Sequence, residues 1–349
     1  MTSRSTVDRR GFGRHSALPA PARFVTTRPY LAAGLTAAAL LGVSAYVNAR
    51  LAGKAERANP PSGRFVEVGG VRLHVVERGQ GDALVLLHGN GSTVEDFVSS
   101  GLMELAASRY RAIAIDRPGF GHSERPRSTV WTDAAQAQLI AAALRRIGVS
   151  RATVLGHSWG CSVAVALGLD HPALVSGLVL VSGYYYPSVR ADVALMSGPA
   201  IPGIGDVLRY SVSPPLGRLL WPLFLRKMFG PEAVPAKFDG FPREMALRPS
   251  QIRASAAESA LMIPDAAARA GRYRELTMPV AIVAGDEDRI VTFEKQSARL
   301  HGELPRSSLH RIPGGGHMVH QTATRRVLAA IDEVAEAARQ TSGAARLAA

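Results

Sequence analysis

Ala152-Thr153-Val154-Leu155-Gly156-His157-Ser158-Trp159-Gly160-Cys161-Ser162 is the stretch that decides how the rest of this chain is read. An apolar, strand-like run leads into Gly156, and a helix-like run, Ser162 to Leu169, follows. A serine between two glycines at such a junction occupies a sharp strand-to-helix turn. The glycines remove side chains that would collide, and the free N–H groups of the helix start point at the reacting oxygen. Ser158 therefore reads as an exposed, activated nucleophile.

A serine hydroxyl is a poor nucleophile at neutral pH. An imidazole must take its proton, and a carboxylate must hold that imidazole in the right tautomer and stabilise it once charged. Both residue types appear downstream. Met278 to Ala284 reads as a buried strand ending in Gly285-Asp286-Glu287-Asp288-Arg289-Ile290-Val291, which places carboxylates at a strand's C-terminal end. Leu309 to Pro313 reads as a last strand, followed by Gly314-Gly315-Gly316-His317 and a helix from Met318 to Arg339. His317 would hang on a glycine-rich loop.

With serine, acid and histidine in that chain order, the sequence resembles the α/β-hydrolase superfamily from about Arg64 to the C-terminus. His88-Gly89-Asn90-Gly91, after the run Ala83 to Leu87, is similar to the family's H-G-x motif. Asp116-Arg117-Pro118-Gly119-Phe120-Gly121-His122-Ser123 is similar to its structural D-x-x-G-x-G-x-S turn. The resemblance implies an α/β fold with a mostly parallel central sheet flanked by helices. It also implies that the backbone N–H groups of Asn90 and Trp159 form an oxyanion hole. The family's acid ends a G-x-x-D and precedes a basic residue and an apolar pair, which points to Asp288 before Arg289-Ile290-Val291, with Asp286 as the alternative.

The other histidines have blander readings. His320 lies in the apparent helix and reads as packed or surface-facing, His157 as a core side chain turned away from substrate, and His88 as a loop brace. No histidine pair has H-E-x-x-H spacing, so no metal is expected, and no cofactor either. Cys161 is the only cysteine, which excludes an intrachain disulfide, and it reads as a small buried side chain.

The net charge of +13 over 349 residues invites a nucleic-acid partner, but residues 1–64 hold ten Lys and Arg against Asp8 and Glu56, leaving +5 for the remainder. Scattered arginines before an uncharged apolar stretch fit membrane topology better than phosphate binding. Pro29 to Ala49 carries no charge and just meets the ~20 residues a spanning helix needs. Six arginines, Arg4 to Arg28, precede it, so the positive-inside rule leaves the N-terminus cytoplasmic and the hydrolase across the membrane; Arg50, Lys54 and Arg57 oppose that orientation. Cleavage after Val47-Asn48-Ala49, giving a secreted protein, and a soluble helix packed on the domain are the alternatives.

The expected organisation is a basic tail (1–28), an anchor or signal (29–49), a polar linker (50–62), a first core part (63–186), a helical cap (187–275), a second core part (276–340) and a short tail (341–349). A hairpin turned at Gly69-Gly70 opens the core, and strands then alternate with helices, among them Asp133 to Ile147, as in a parallel sheet covered on both faces. The segment 187–275 breaks that alternation and is too long for a loop. Within it, Leu219-Leu220-Trp221-Pro222-Leu223-Phe224-Leu225, flanked by Arg218, Arg226 and Lys227, reads first as packing between cap and sheet and second as an interfacial lipid contact. Trp221 and Tyr184 are the expected substrate-binding side chains, in an apolar pocket.

Three functions compete. The first is a serine hydrolase cleaving a carboxylic ester of an apolar substrate through an acyl-enzyme. The second uses the same triad on a carbon–carbon bond, lactone or amide, or for cofactor-free perhydrolysis. Serine rather than aspartate at Ser158 argues against haloalkane dehalogenase and epoxide hydrolase chemistry. The third is a non-enzymatic binding module that retains the cleft.

Overall fold

The computed structural model describes residues 29–188 and 190–347. Residues up to Ala39 cluster separately from Leu40–Ala349, the unit that carries the sheet and the cleft. The basic tail, 1–28, lies outside the described residues.

Eight strands form one sheet: β1 (Arg64–Val68), β2 (Val71–Arg78), β3 (Ala83–Leu87), β4 (Arg111–Ile115), β5 (Ala152–His157), β6 (Val175–Val181), β7 (Val280–Gly285) and β8 (Ser307–Ile312). Their spatial order is β1-β2-β4-β3-β5-β6-β7-β8. Only β2 runs antiparallel to its neighbours β1 and β4; every pair from β4 to β8 is parallel. Parallel strands covered on both faces must be apolar on both. Strand β3 shows this: Val85 and Leu87 join one core cluster, Leu84 and Leu86 the other.

Six long helices and a set of short ones surround or extend the sheet among the described residues. Helix α1 is Pro29–Ala58; α2 (Asp133–Arg146) and α3 (Trp159–Asp170) cover one face. Thr132 caps α2, its side-chain oxygen accepting the Ala135 N–H at 3.1 Å. The segment between β6 and β7 holds α4 (Ala191–Met196), α5 (Ile204–Val207), a π-helical turn (Leu208–Val212), α6 (Ser213–Phe229) and α7 (Pro249–Arg269), and no strand among the described residues. After β8 come α8 (Val319–Thr322) and α9 (Thr324–Leu347), the latter on the second face of the sheet.

Three element readings need correction. The stretch read as a linker from residue 50 is helical through Ala58, because Leu51 to Arg57 are mostly strong helix formers and polarity alone does not stop a helix. Asn59-Pro60-Pro61 does, since the residue before proline is driven out of helical geometry. The C-terminal helix is broken at Ala323 into α8 and α9. Helix α3 begins at Trp159, directly after Ser158, rather than at Ser162.

Buried ion pairs tie α7 to the core. Arg117 and Glu258 are fully buried and paired, and Gln136 of α2 donates to the same carboxylate at 2.9 Å. Further along, Arg269 clamps Asp133 with bonds of 2.6 and 2.9 Å, and the Asp265 carboxylate accepts the Asp133 N–H at 2.9 Å. Burial, and then the nearby Asp133 charge, push the Asp265 carboxyl up to about 7. Its folded value is raised, so its stabilising contribution is complete below the unfolded carboxyl range and is lost as pH rises through about 7. Asp265→Asn keeps an acceptor for the Asp133 N–H and removes the ionisation. Chemical denaturation should show the variant gaining roughly 1 kcal/mol on wild type between pH 6 and pH 8; parallel pH curves would contradict the assignment.

Candidate active site

Ser158 stands at the C-terminal end of β5 with φ 52° and ψ −118°, a left-handed backbone that costs a non-glycine residue of order 1–3 kcal/mol. The turn is held by Ser158 N–H donating to Val181 O at 2.9 Å and Cys161 N–H donating to Ser158 O at 3.0 Å. Its tightness explains the flanking glycines: a Cβ at Gly160 would lie 2.1 Å from Leu87 O, and one at Gly156 would lie 2.4 Å from Gly160 O. Cys161 tucks beneath the turn, its Sγ 3.1 Å from Gly156 O, and burial pushes its thiol up to about 12.

His317 lies on the loop after β8, where Gly314 adopts φ 68°. Its Nδ1 is 2.7 Å from Asp288 Oδ2, and both side chains are buried. Asp288 Oδ1 in turn accepts the N–H groups of Ile290 and Val291 at 2.7 and 2.9 Å, which fixes the carboxylate's orientation. Asp286 faces elsewhere: it accepts from Arg311 Nε at 2.9 Å and Gly314 N at 2.7 Å, and Arg311 holds its carboxyl below the usual range. Of the two acids weighed from sequence, the imidazole meets Asp288, while Asp286 braces the loop.

Ser158 and His317 line one cavity of about 50 Å³ together with Gly89, Asn90, Trp221, Phe224, Leu225 and Met228. No hydrogen bond joins Ser158 Oγ to His317 among the described residues; the two share a wall. Catalytic hydrogen bonds are often long in ligand-free proteins and tighten on binding. Trp159 is the first residue of α3, so its N–H has no acceptor within the helix. The Asn90 side chain reaches α7, donating to Ser255 O and Ser259 Oγ at 3.2 Å each.

Tyr184 does not line this cavity. It is buried beside Ser162, Asp265 and Arg269, its hydroxyl 3.1 Å from Ser188 Oγ and accepting the Ser188 N–H at 2.8 Å. Its ring is drawn to Ser162 of α3 and to Asp265 and Arg269 of α7 rather than to the serine. Trp221 does line the cavity, with Phe241 at 6.3 Å and nearly parallel to it.

Arg117 is a structural determinant that the sequence reading passed over within a motif treated only as a turn. Its Nε donates to His88 O at 2.7 Å and its Nη2 to Gly89 O at 3.0 Å, drawing those carbonyls toward the core below Asn90. His88 bonds Gly89 O through Nδ1 at 2.8 Å and accepts the Arg117 N–H at 3.0 Å. Burial, then the Arg117 charge, hold it down to about 3, so it is a neutral brace.

Behind the serine a second buried group was equally unforeseen. The His157 ring packs 5.0 Å from His317 and 4.1 Å from His320, and its Nε2 lies 3.2 Å from His317 O. His320 Nε2 is 3.0 Å from Asp96 Oδ1. Burial alone would raise the Asp96 carboxyl, but the His320 charge outweighs it and holds the group below its usual range. Burial and then the neighbouring imidazoles hold His157 well down, in the neutral form. Far from being turned away, His157 contributes to the cavity wall. Asp96, His157 and His320 are the described residues whose donor atoms converge as a metal site would require, within 4.8 Å. The 4.1 Å ring separation is shorter than the ~5 Å expected of two imidazoles bound tetrahedrally at ~2 Å to one ion. We read the group as a packed, buried polar cluster. Gly160→Ala tests the elbow itself: the clash with the Leu87 carbonyl should destabilise the protein by about 1–3 kcal/mol in denaturant titration, and unchanged stability would show that the turn has slack.

Comparison with known proteins agrees with this geometry. Residues 82–324 match the family model for the alpha/beta hydrolase fold. The chain is 29% identical over 272 residues to 2-hydroxymuconate semialdehyde hydrolase of Pseudomonas sp. strain CF600, covering 74% of this chain and 88% of the relative. It is 26% identical over 294 residues to haloalkane dehalogenase 2 of Mycobacterium tuberculosis H37Rv, covering 78% and 95%. Among solved structures, an esterase from Thermogutta terrifontis superposes with a TM-score of 0.64 at 20% identity, over 79% of this chain and 98% of that one. The sheet order, the serine turn and the family match over most of its length establish that this chain belongs to the α/β-hydrolase fold family and is a hydrolase.

Proposed function

We propose that this protein is a serine hydrolase that cleaves a carboxylic ester of an apolar substrate. The observation that carries the reading is the 2.7 Å His317–Asp288 bond, opening onto a cavity that also exposes Ser158. Ser158 Oγ attacks the ester carbonyl while its proton passes to His317 Nε2. Asp288 holds the tautomer with Nδ1 protonated and stabilises the imidazolium. The carbonyl oxygen becomes an anion facing the N–H groups of Asn90 and Trp159, each worth about 10²–10³ in rate. His317 then protonates the departing alcohol, leaving Ser158 acylated. In the second half His317 takes a proton from water, the hydroxide attacks the acyl carbon, and the acid leaves as Ser158 regains its proton. Trp221, Phe224, Leu225 and Met228 give the cavity an apolar wall, which suits an acyl chain better than a charged group.

The C–C hydrolase relative supports a second reading, hydrolysis of a diketone-like carbon–carbon bond with the same residues. The dehalogenase relative does not extend its chemistry here, because serine stands at the turn in place of a nucleophilic carboxylate. A lactone, an amide or perhydrolysis would use the same three residues, and a binding module would use none of them.

α1 is further read as a retained single-pass anchor with the hydrolase outside the cytoplasm. Tyr30–Ala58 is long and apolar enough to cross a membrane. Cleavage after Ala49 would remove two residues that hydrogen-bond the cap: Ser44 Oγ donates to Ser211 O at 2.5 Å and Asn48 Nδ2 to Tyr210 O at 2.9 Å. Those bonds favour an anchor over a cleaved signal and a secreted product.

Chromogenic esters of graded acyl length, assayed with full-length protein in mild detergent, test the reading. Turnover should fall at least ~10³-fold in Ser158→Ala and about 10²–10⁴-fold in Asp288→Asn, while Asp286→Asn stays near wild type. Undiminished turnover in Ser158→Ala would refute it. Inertness toward esters with turnover of a vinylogous diketone would transfer the assignment to the second reading.

A further inference from the structure

Helix α6 carries apolar side chains on two faces, with Arg218, Arg226 and Lys227 among them. One face, with Trp221, Leu225 and Met228, lines the cavity that holds Ser158. The opposite stripe, Leu216, Leu219 and Leu223, follows helical spacing and is open to solvent, with Leu219 74% and Leu223 57% exposed. A helix with two apolar faces is explained only if something apolar covers the second. Ile204 and Val207 of α5, just before the π-helical turn that leads into α6, are 66% and 51% exposed as well.

Helix α1 says what covers it. Ser44 and Asn48 bond the carbonyls of the π-helical turn, and Arg218 of α6 donates to Asn48 Oδ1 at 2.8 Å. On the same stretch of α1, Leu40, Val43 and Tyr46 are each more than 60% exposed. α1 is also the helix with the length and composition to cross a bilayer. Where Leu40 to Tyr46 meet lipid, the π-helical turn bonded to Ser44 lies within one helical turn of them, and α6, held through Asn48, lies next along α1. α6 ends on Arg226 and Lys227 and has no acidic residue, the pattern of a helix lying at an anionic headgroup boundary.

We propose that the outer face of the cap, α5 through α6, is seated in the headgroup–acyl boundary of the membrane that α1 enters, and that the protein draws a long-chain ester laterally from the bilayer into the Ser158 cavity. Phe224 marks the entry point, since it both lines the cavity and is 40% exposed. The substrate half of this inference rests on the ester reading above; the docking half does not. It reverses the order of the two sequence readings of Leu219 to Leu225, because the lipid-facing role takes the larger share of the helix and core packing is left to Trp221 and Leu225.

The experiment uses full-length protein reconstituted into phosphatidylcholine–phosphatidylglycerol vesicles. An environment-sensitive fluorophore is attached at Leu219→Cys or, as a water-facing control, at Arg146→Cys on α2; native Cys161 is buried. Brominated acyl chains should quench the Leu219 label several-fold more than the Arg146 label. Equal, weak quenching overturns the docking, as does cross-linking between Leu219 labels that shows a second copy covering the face. In parallel, Leu219→Asp/Leu223→Asp should lower hydrolysis of a vesicle-borne long-chain ester by about tenfold or more, with less than about twofold change on a soluble short-chain ester. Equal effects on both esters would overturn lateral uptake. If the lipid quenching holds while neither ester is turned over by wild type, the docking stands and the ester reading alone fails.

Discussion

The site is organised by a backbone constraint at Ser158. A residue held at φ 52° between a parallel strand and a helix projects its side chain above the sheet while the helix N-terminus opens beneath it. That conformation persists only if the surroundings overdetermine it. Here they do so through β3, since Leu87 pairs in register with Gly156 and its carbonyl fills the space that a side chain at Gly160 would need. The loop after β3, with Asn90, is thereby fixed at the same edge as the serine. Sheet register and site geometry are one arrangement.

A second layer of support comes from charges removed from water. Arg117 reaches from the end of β4 to the carbonyls of His88 and Gly89 and is neutralised by Glu258 of α7. A buried pair of this kind adds little net stability against an apolar alternative, but removing one partner leaves the other stranded at a cost of about 3–5 kcal/mol. Its consequence is geometric. The loop after β3 and helix α7 are locked to the same guanidinium, so the two cannot shift freely against each other. Asp96 and His320 meet behind His157, whose ring packs 5.0 Å from that of His317.

Much of this was legible from sequence because it depends on local rules. Strand β3 declared itself by five consecutive apolar residues, the hairpin by Gly69-Gly70, and the serine turn by its glycines. His317 was legible from the three glycines before it, and Asp288 from the residues that follow it. What escaped notice depends on contacts between segments distant in sequence. Glu258 lies among alanines and serines in α7, and nothing nearby signals that an arginine 141 residues earlier will meet it. Asp96 and His320 are 224 positions apart, and only the folded chain makes them a pair. Tyr184 is close to the end of β6 in sequence, but the folded chain packs it beside Asp265 and Arg269 of α7 rather than in the cavity. The helical end of α1 is not legible from polarity, because Leu, Ala, Lys, Glu and Arg all favour helix.

The central claim is that Ser158 is an activated nucleophile served by His317. Covalent capture measures this directly and independently of any substrate: the folded protein is treated with a fluorophosphonate and the site of phosphonylation is mapped by peptide mass spectrometry. The account predicts a single stoichiometric adduct on Ser158 that forms far more slowly in His317→Gln. An unmodified Ser158 in folded protein, or labelling at the same rate without the imidazole, would contradict it.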